Sequence, residues 1–165
     1  MLWVIPNPEV TSILQSEIGR LAKLHQTTSF LPHITAARLP VKTPDETETI
    51  KTVDKVSQRI QNHSISIGEI KLSSNPYQKM VIALGDSLFF SELGMAIDSA
   101  FQEPCSKKEF HCSLMYGYTS NDVLGNEKQK VLDRLPEEWF AHELAVVLLN
   151  GGPDEWKIVH QKKLM

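Results

Sequence analysis

Two tripeptides of one form, His33-Ile34-Thr35 and His111-Cys112-Ser113, stand 78 residues apart in this chain. The same offset relates Lys79 to Lys157, Val81 to Val159, and the turn residues Ser73-Ser74 to Gly151-Gly152. One offset linking two motifs and two turns, despite low identity elsewhere, marks an internal duplication. The fold must therefore accommodate two copies of one supersecondary unit.

Local patterns define that unit. Leu2 to Ile5 is a β-rich run stopped by Pro6-Asn7-Pro8, where Asn7 suits a helix N-cap and Pro8 a first turn that misses no amide hydrogen. Ile13, Leu14, Ile18, Leu21 and Leu24 then follow at helical spacing. Pro32 to Leu39 reads as a strand, Thr43-Pro44-Asp45-Glu46 as a capping box, and Ile50, Val53, Val56 and Ile60 as one helical face. Ile65 to Leu72 and Lys79 to Leu84 flank a Ser-Ser-Asn-Pro break and form a hairpin. In the second copy Phe89, Phe90, Leu93, Ala96, Ile97 and Phe101 predict a helix and Phe110 to Tyr116 a strand. Asn121 to Arg134 predicts a helix weakened by Gly125, and Leu144 to Leu149 with Trp156 to Val159 a second hairpin. The order β-α-β-α-β-β-α-β-α-β-β implies an α+β fold, with residues 1–165 as a single domain of two pseudo-symmetric lobes. Each lobe is expected to be an antiparallel sheet with helices on the outside, and the two face each other across a central cleft.

Composition limits the partners. The chain has 165 residues, 41% of them hydrophobic, enough for one core. Its 17 basic and 20 acidic residues leave a net charge of −3, which argues against duplex nucleic acid as a partner. No apolar run approaches the roughly 20 residues of a membrane span, and Met1 to Val10 has no basic region ahead of its apolar stretch, so neither membrane insertion nor a signal peptide is expected. Cys105 and Cys112 lack CxxC spacing, and a soluble intracellular, cytoplasmic protein with unpaired thiols is the expectation. Cys112 itself reads as a buried small hydrophobe. With no HExxH, no HxHxH and no acidic cluster, no metal and no cofactor is expected.

The chemistry lies in the two tripeptides. Successive strand side chains point to opposite faces, so His33 and Thr35 share one face while Pro32, Ile34 and Ala36 share the other. His111 and Ser113 are divided from Phe110, Cys112 and Leu114 in the same way. A lone strand histidine is more often structural than catalytic; two matched ones at the repeat offset point to a shared site. Hydrolysis of a phosphodiester needs a base for the attacking water and an acid for the departing oxygen, in line on opposite sides of phosphorus. Imidazole serves either role near neutrality, and the hydroxyls of Thr35 and Ser113 can donate to the non-bridging oxygens. Trp3, with Leu2 and Val4 on the opposite strand face, either stacks on a base in the cleft or belongs to the core. Tyr116 follows His111 by five residues, an odd step that aims it away from an ideal strand's site face unless Gly117 lets the chain twist. Lys107 and Lys108 precede the second motif and are either solvated surface or a guide for an anion.

These residues resemble the 2H phosphoesterase superfamily, defined by two His-x-Thr/Ser motifs in a duplicated bilobal fold. Within it the chain is similar to the small cyclic nucleotide phosphodiesterases of fungi and plants. The resemblance covers nearly the whole chain and includes Trp3-x-x-Pro6 and Tyr116. It implies hydrolysis of 2′,3′-cyclic nucleotides to nucleoside 2′-phosphates, and of ADP-ribose 1″,2″-cyclic phosphate to ADP-ribose 1″-phosphate, a by-product of tRNA splicing. It further implies His33 and His111 as the catalytic pair, and Thr35, Ser113, Tyr116 and Trp3 around the substrate; His111 is taken as base and His33 as acid, although the near-symmetric motifs leave the reverse open. A small cyclic-phosphate nucleotide is then the one expected partner of a monomer. The fungal members imply a Golgi association that no residue here encodes. An RNA-end-processing enzyme of the same superfamily (a 2′-5′ ligase or a 3′ exonuclease) and a non-catalytic nucleotide-binding module are the alternatives. The acidic balance disfavours the first and the intact motifs the second.

Overall fold

The computed structural model describes residues 1–40, 46–85, 88–136 and 138–165. The elements follow the expected order: β1 (Leu2–Pro6), α1 (Pro8–His25), β2 (Ile34–Ala37), α2 (Glu46–Ser57), β3 (Ser64–Leu72), β4 (Met80–Leu84), α3 (Leu88–Phe101), β5 (His111–Met115), α4 (Asn121–Leu132), β6 (Glu138–Leu148) and β7 (Lys157–Lys163). The fold is α+β. The capping residues expected at Thr43, Pro44 and Asp45 lie outside the described residues. Strand β6 starts well before the expected Leu144, and its first residues pair with β3.

All pairings are antiparallel, in the order β1-β2-β5-β4-β3-β6-β7, and β1 also pairs with β6. The strands therefore do not segregate by half of the chain, as two separate sheets would require: β5 sits between β2 and β4, and β6 touches both β1 and β3. The physical reason is edge satisfaction. Exchanging strands between the halves pairs backbone groups that two small sheets would leave open.

The register carries the duplication. In β1 and β2, Leu2 pairs with Ala37, Trp3 with Thr35 and Val4 with Ile34, with a bulge between Leu2 and Trp3. In β4 and β5, Met80 pairs with Met115, Val81 with Ser113 and Ile82 with Cys112, with a bulge between Met80 and Val81. Each residue of the second set lies 78 positions beyond its counterpart, bulge included. The contact between β2 and β5, Ile34 opposite Cys112, joins equivalent residues of the two copies and marks the midpoint of the repeat.

Alternation along the strands separates two apolar faces. Leu2, Val4, Ile34, Ala36, Ile82, Cys112, Leu114, Leu144 and Val146 point into the main core, which the helices cover. Trp3, Ala145 and Val147 form a second, smaller cluster on the other face, joined by Trp156 and Ile158. Helix α1 packs over β5 and α3 over β2, so each histidine strand is backed by the other copy's helix. The buried stripe of α1 is Val10, Leu14, Ile18 and Leu21. Leu24, expected in it, is 55% exposed because it falls in the last turn before the left-handed C-cap at Gln26. Asn7 stands at the N-cap position, yet its side-chain oxygen accepts from the Phe140 amide (3.1 Å) rather than from the helix, which ties α1 to β6.

Helices α1 and α4 are joined by a charge network. Glu17 and Glu127 are buried carboxylates. Arg20 donates to both, from Nε to Glu17 at 3.0 Å and from Nη1 to Glu127 at 2.6 Å. Arg134 completes Glu17 at 2.6 Å and Lys130 completes Glu127 at 2.8 Å. Such pairing is what permits a carboxylate to sit at a helix interface. Lys130 first and Arg20 next hold the Glu127 carboxyl below its ordinary range.

Candidate functional site

The pairing of Ile34 with Cys112 fixes the geometry of both motifs. In an antiparallel ladder it sets His33 across from Ser113 and Thr35 across from His111, with all four on the face opposite the main core. Directly opposed side chains start about 5 Å apart, and diagonal ones about 7–8 Å. The two imidazoles thus lie on one diagonal and the two hydroxyls on the other. Ile34 and Cys112, which alternate with them, are fully buried in the core. Burial pushes the Cys112 thiol up to about 12, and both cysteines are free.

His33 lies just before β2 and is 5% exposed. Its Nδ1 is 2.7 Å from the Leu31 carbonyl oxygen. A carbonyl only accepts, so the neutral ring carries its proton on Nδ1 and leaves the Nε2 lone pair free. Burial brings its pKa down to about 4; the Leu31 carbonyl opposes that shift and His111 adds to it. His111 is half-buried at the start of β5. Its pKa is lowered by burial first and by Lys107 second, with Glu109 acting the other way. Near neutrality both rings therefore rest uncharged.

The surroundings of the two histidines differ. Trp3 lies flat on His33, with ring centroids 3.6 Å apart and planes 10° apart. Phe30 and Trp156 meet the same ring edge-on, at 6.3 and 6.0 Å. Tyr116 stacks on Phe30 at 4.0 Å and meets Trp156 at 6.0 Å. His111, by contrast, lines a cavity of about 460 Å³ whose wall includes Gln78, Val81, Lys71 and Lys108. Phe30 corresponds by the repeat offset to Lys108, Trp156 to Gln78 and Trp3 to Val81. One end of the site is aromatic and closed, the other polar and open.

The residues expected from sequence fall as follows. His33, Thr35, His111 and Ser113 share one face. Trp3 points to that face as its strand position requires, but it is 1% exposed, with His33 covering one side of the indole. Tyr116 is brought alongside because β5 ends at Met115 and Gly117 adopts φ +127°, where an added Cβ would meet Thr27 Cγ2 at 2.8 Å. Burial raises the pKa of the Tyr116 phenol to about 12, outweighing the Ser113 hydroxyl, which favours its ionisation. Lys108 lines the His111 cavity, whereas Lys79 spends its ammonium on the Ser73 carbonyl at 2.8 Å, a turn-closing bond. Among the other histidines, His160 pairs with Asp54 of α2 at 2.8 Å. Phe30 and Trp156 were not foreseen. Trp156 stands beside Lys157, whose match to Lys79 had already defined the repeat, so its position opposite Gln78 was open to inspection.

Among the described residues, no three His, Cys, Asp or Glu side chains cluster as a metal ion would require, and no helix is long and apolar enough to cross a membrane. No known family model matches the chain, and no curated protein matches it.

Proposed function

We infer that the chain is a metal-independent cyclic phosphodiesterase that opens 2′,3′-cyclic nucleotides to nucleoside 2′-phosphates. The observation that carries this is the quartet around the Ile34–Cys112 pair: two imidazoles and two hydroxyls on one face of adjacent strands. The duplicated, bilobal reading of the fold is supported by the recurrence of strand register at the 78-residue offset.

The chemistry follows from the two environments. Water attacks phosphorus and a P–O bond forms, while the bond from phosphorus to O3′ breaks on the opposite side. A base accepts the proton of the water, and an acid gives one to O3′. His33, buried, neutral and with Nε2 unprotonated, suits the base. His111, less buried and beside an open cavity, suits the group that takes up a proton with the anionic substrate and delivers it to the leaving oxygen. This takes the reverse of the direction preferred from sequence, and its warrant is the deeper burial of His33. Thr35 and Ser113 donate to the non-bridging oxygens as charge develops there. Tyr116 stands beside the Ser113 hydroxyl. Because the two rings supply both proton transfers, no metal-bound water is required.

The test is an assay of purified protein in EDTA with 2′,3′-cyclic AMP and ADP-ribose 1″,2″-cyclic phosphate, with products identified by phosphorus NMR. Adenosine 2′-phosphate and ADP-ribose 1″-phosphate are expected. No turnover above that of a His33→Ala/His111→Ala double variant would overturn the assignment.

A further inference from the structure

His33 is enclosed, and its cover is unevenly anchored. Trp3 and Phe30 are buried residues of the fold itself. Trp156 is only half-buried, on the connection between β6 and β7. That connection is tied to itself. The Gly152 amide donates to Glu155 Oε2 at 2.7 Å and the Glu155 amide to the Gly152 carbonyl at 2.9 Å, while Gly151 takes the left-handed φ of +73°. Among the described residues, 150–155 make hydrogen bonds only within this turn. The hairpin tip is thus a preformed unit that meets the body of the site through the Trp156 indole, in contact with Trp3, His33 and Tyr116, and through Pro153, which borders a cavity with Tyr116.

An anion cannot reach an imidazole that is 5% exposed unless part of this cover moves. Resting on the phosphodiesterase activity argued above, we propose that Trp156 is the residue that meets the base of the nucleotide: it covers His33 in the free protein, leaves it when substrate enters, and packs against the base in the complex. Trp3 cannot take that role, since His33 lies on its ring. The repeat supports a specialised function at this position, because its counterpart Gln78 leaves the His111 cavity open. A planar aromatic heterocycle is the ligand chemistry that suits an indole displaced from an aromatic cluster.

Three measurements on wild type, Trp156→Ala and Trp156→Phe test this. First, carbethoxylation of His33 by diethyl pyrocarbonate, followed by mass spectrometry, is expected to be at least about tenfold faster in Trp156→Ala and near wild type in Trp156→Phe; equal rates would overturn the covering role. Second, KM for 2′,3′-cyclic AMP should rise about tenfold in Trp156→Ala with kcat little changed, while KM for the base-free glycerol 1,2-cyclic phosphate should stay the same or fall. An equal rise for both substrates would overturn the stacking role. Third, if the wild type hydrolyses neither compound, the phosphodiesterase assignment fails by itself, and the affinity for adenosine 2′-phosphate decides the matter: a tenfold loss in Trp156→Ala upholds the contact, and no loss overturns it.

Discussion

Trp3 and His33 lie face to face, 3.6 Å between ring centroids, so the indole acts on the imidazole by excluding water and fixing its plane. Truncation in Trp3→Ala should cost about 3–5 kcal/mol of stability, as for other large buried aromatics. Water admitted beside His33 should raise its pKa from about 4 towards the ordinary 6.5. Chemical denaturation checks the first effect and a proton NMR titration of the imidazole the second. An unchanged His33 titration would show that other groups hold it.

Replacement of either histidine should reach the chemical step. His33→Ala and His111→Ala are each expected to lower kcat by about 10²–10⁴-fold, the usual worth of a positioned acid or base. KM should change far less. Steady-state kinetics in EDTA provide the check, and full activity in either variant would remove that ring from the mechanism.

The hydroxyls should matter less than the rings. Thr35→Ala and Ser113→Ala are expected to reduce kcat by about 10–100-fold, below the value of a dedicated oxyanion donor, with little change in KM. Tyr116→Phe should reproduce part of the Ser113→Ala effect, because the phenol lies within electrostatic reach of that hydroxyl. Additive losses in the double variant would contradict this coupling.

Stability should fall as pH drops below 6.5, because His33 is buried in its neutral form. His33 is held down to about 4 in the folded protein against an ordinary 6.5. As pH drops below 6.5 the unfolded chain binds a proton that the folded one does not, so folding weakens progressively down to about pH 4. The loss over this window is roughly 3 kcal/mol. Urea denaturation at a series of pH values should show a steeper slope in wild type than in His33→Phe, which keeps only the share of His111. Should both slopes match, another group is responsible.

A later acid loss belongs to the clamp between α1 and α4. Glu127 has its carboxyl held below the ordinary range, so its contribution is present above that range and disappears as pH falls through the lowered value. At neutral pH Glu127→Gln should destabilise by about 1–3 kcal/mol through its charged hydrogen bonds and leave kcat unchanged, since none of its partners faces the site. A thermal melt alongside an activity assay separates the two outcomes.

The sequence made the element order and the polar face of each motif legible because both depend on local periodicity. His33 and Thr35 had to share a face with each other, and Ile34 had to face away. The interleaving of β5 between β2 and β4 was not legible, since strand partners at long range leave no mark in a period of two. Buried Glu17 and Glu127 were hidden for a related reason: their partners Arg20, Lys130 and Arg134 look like solvated helix charges until α1 and α4 meet. The repeat offset gives Trp156 the place of Gln78 but does not tell that its ring meets His33, which is a long-range contact. The ring-on-ring contact of Trp3 was also invisible, although its strand face was not.

The circuit of paired strands has one further effect. Every described strand but β7 has neighbours on more than one partner strand, so β7 alone offers a long free border to other molecules. That border carries Lys157, Lys162 and Lys163, and a row of like charges repels a second copy before backbone hydrogen bonds can form. The protein should therefore resist edge-to-edge association at high concentration, and neutralising those three lysines should weaken that resistance.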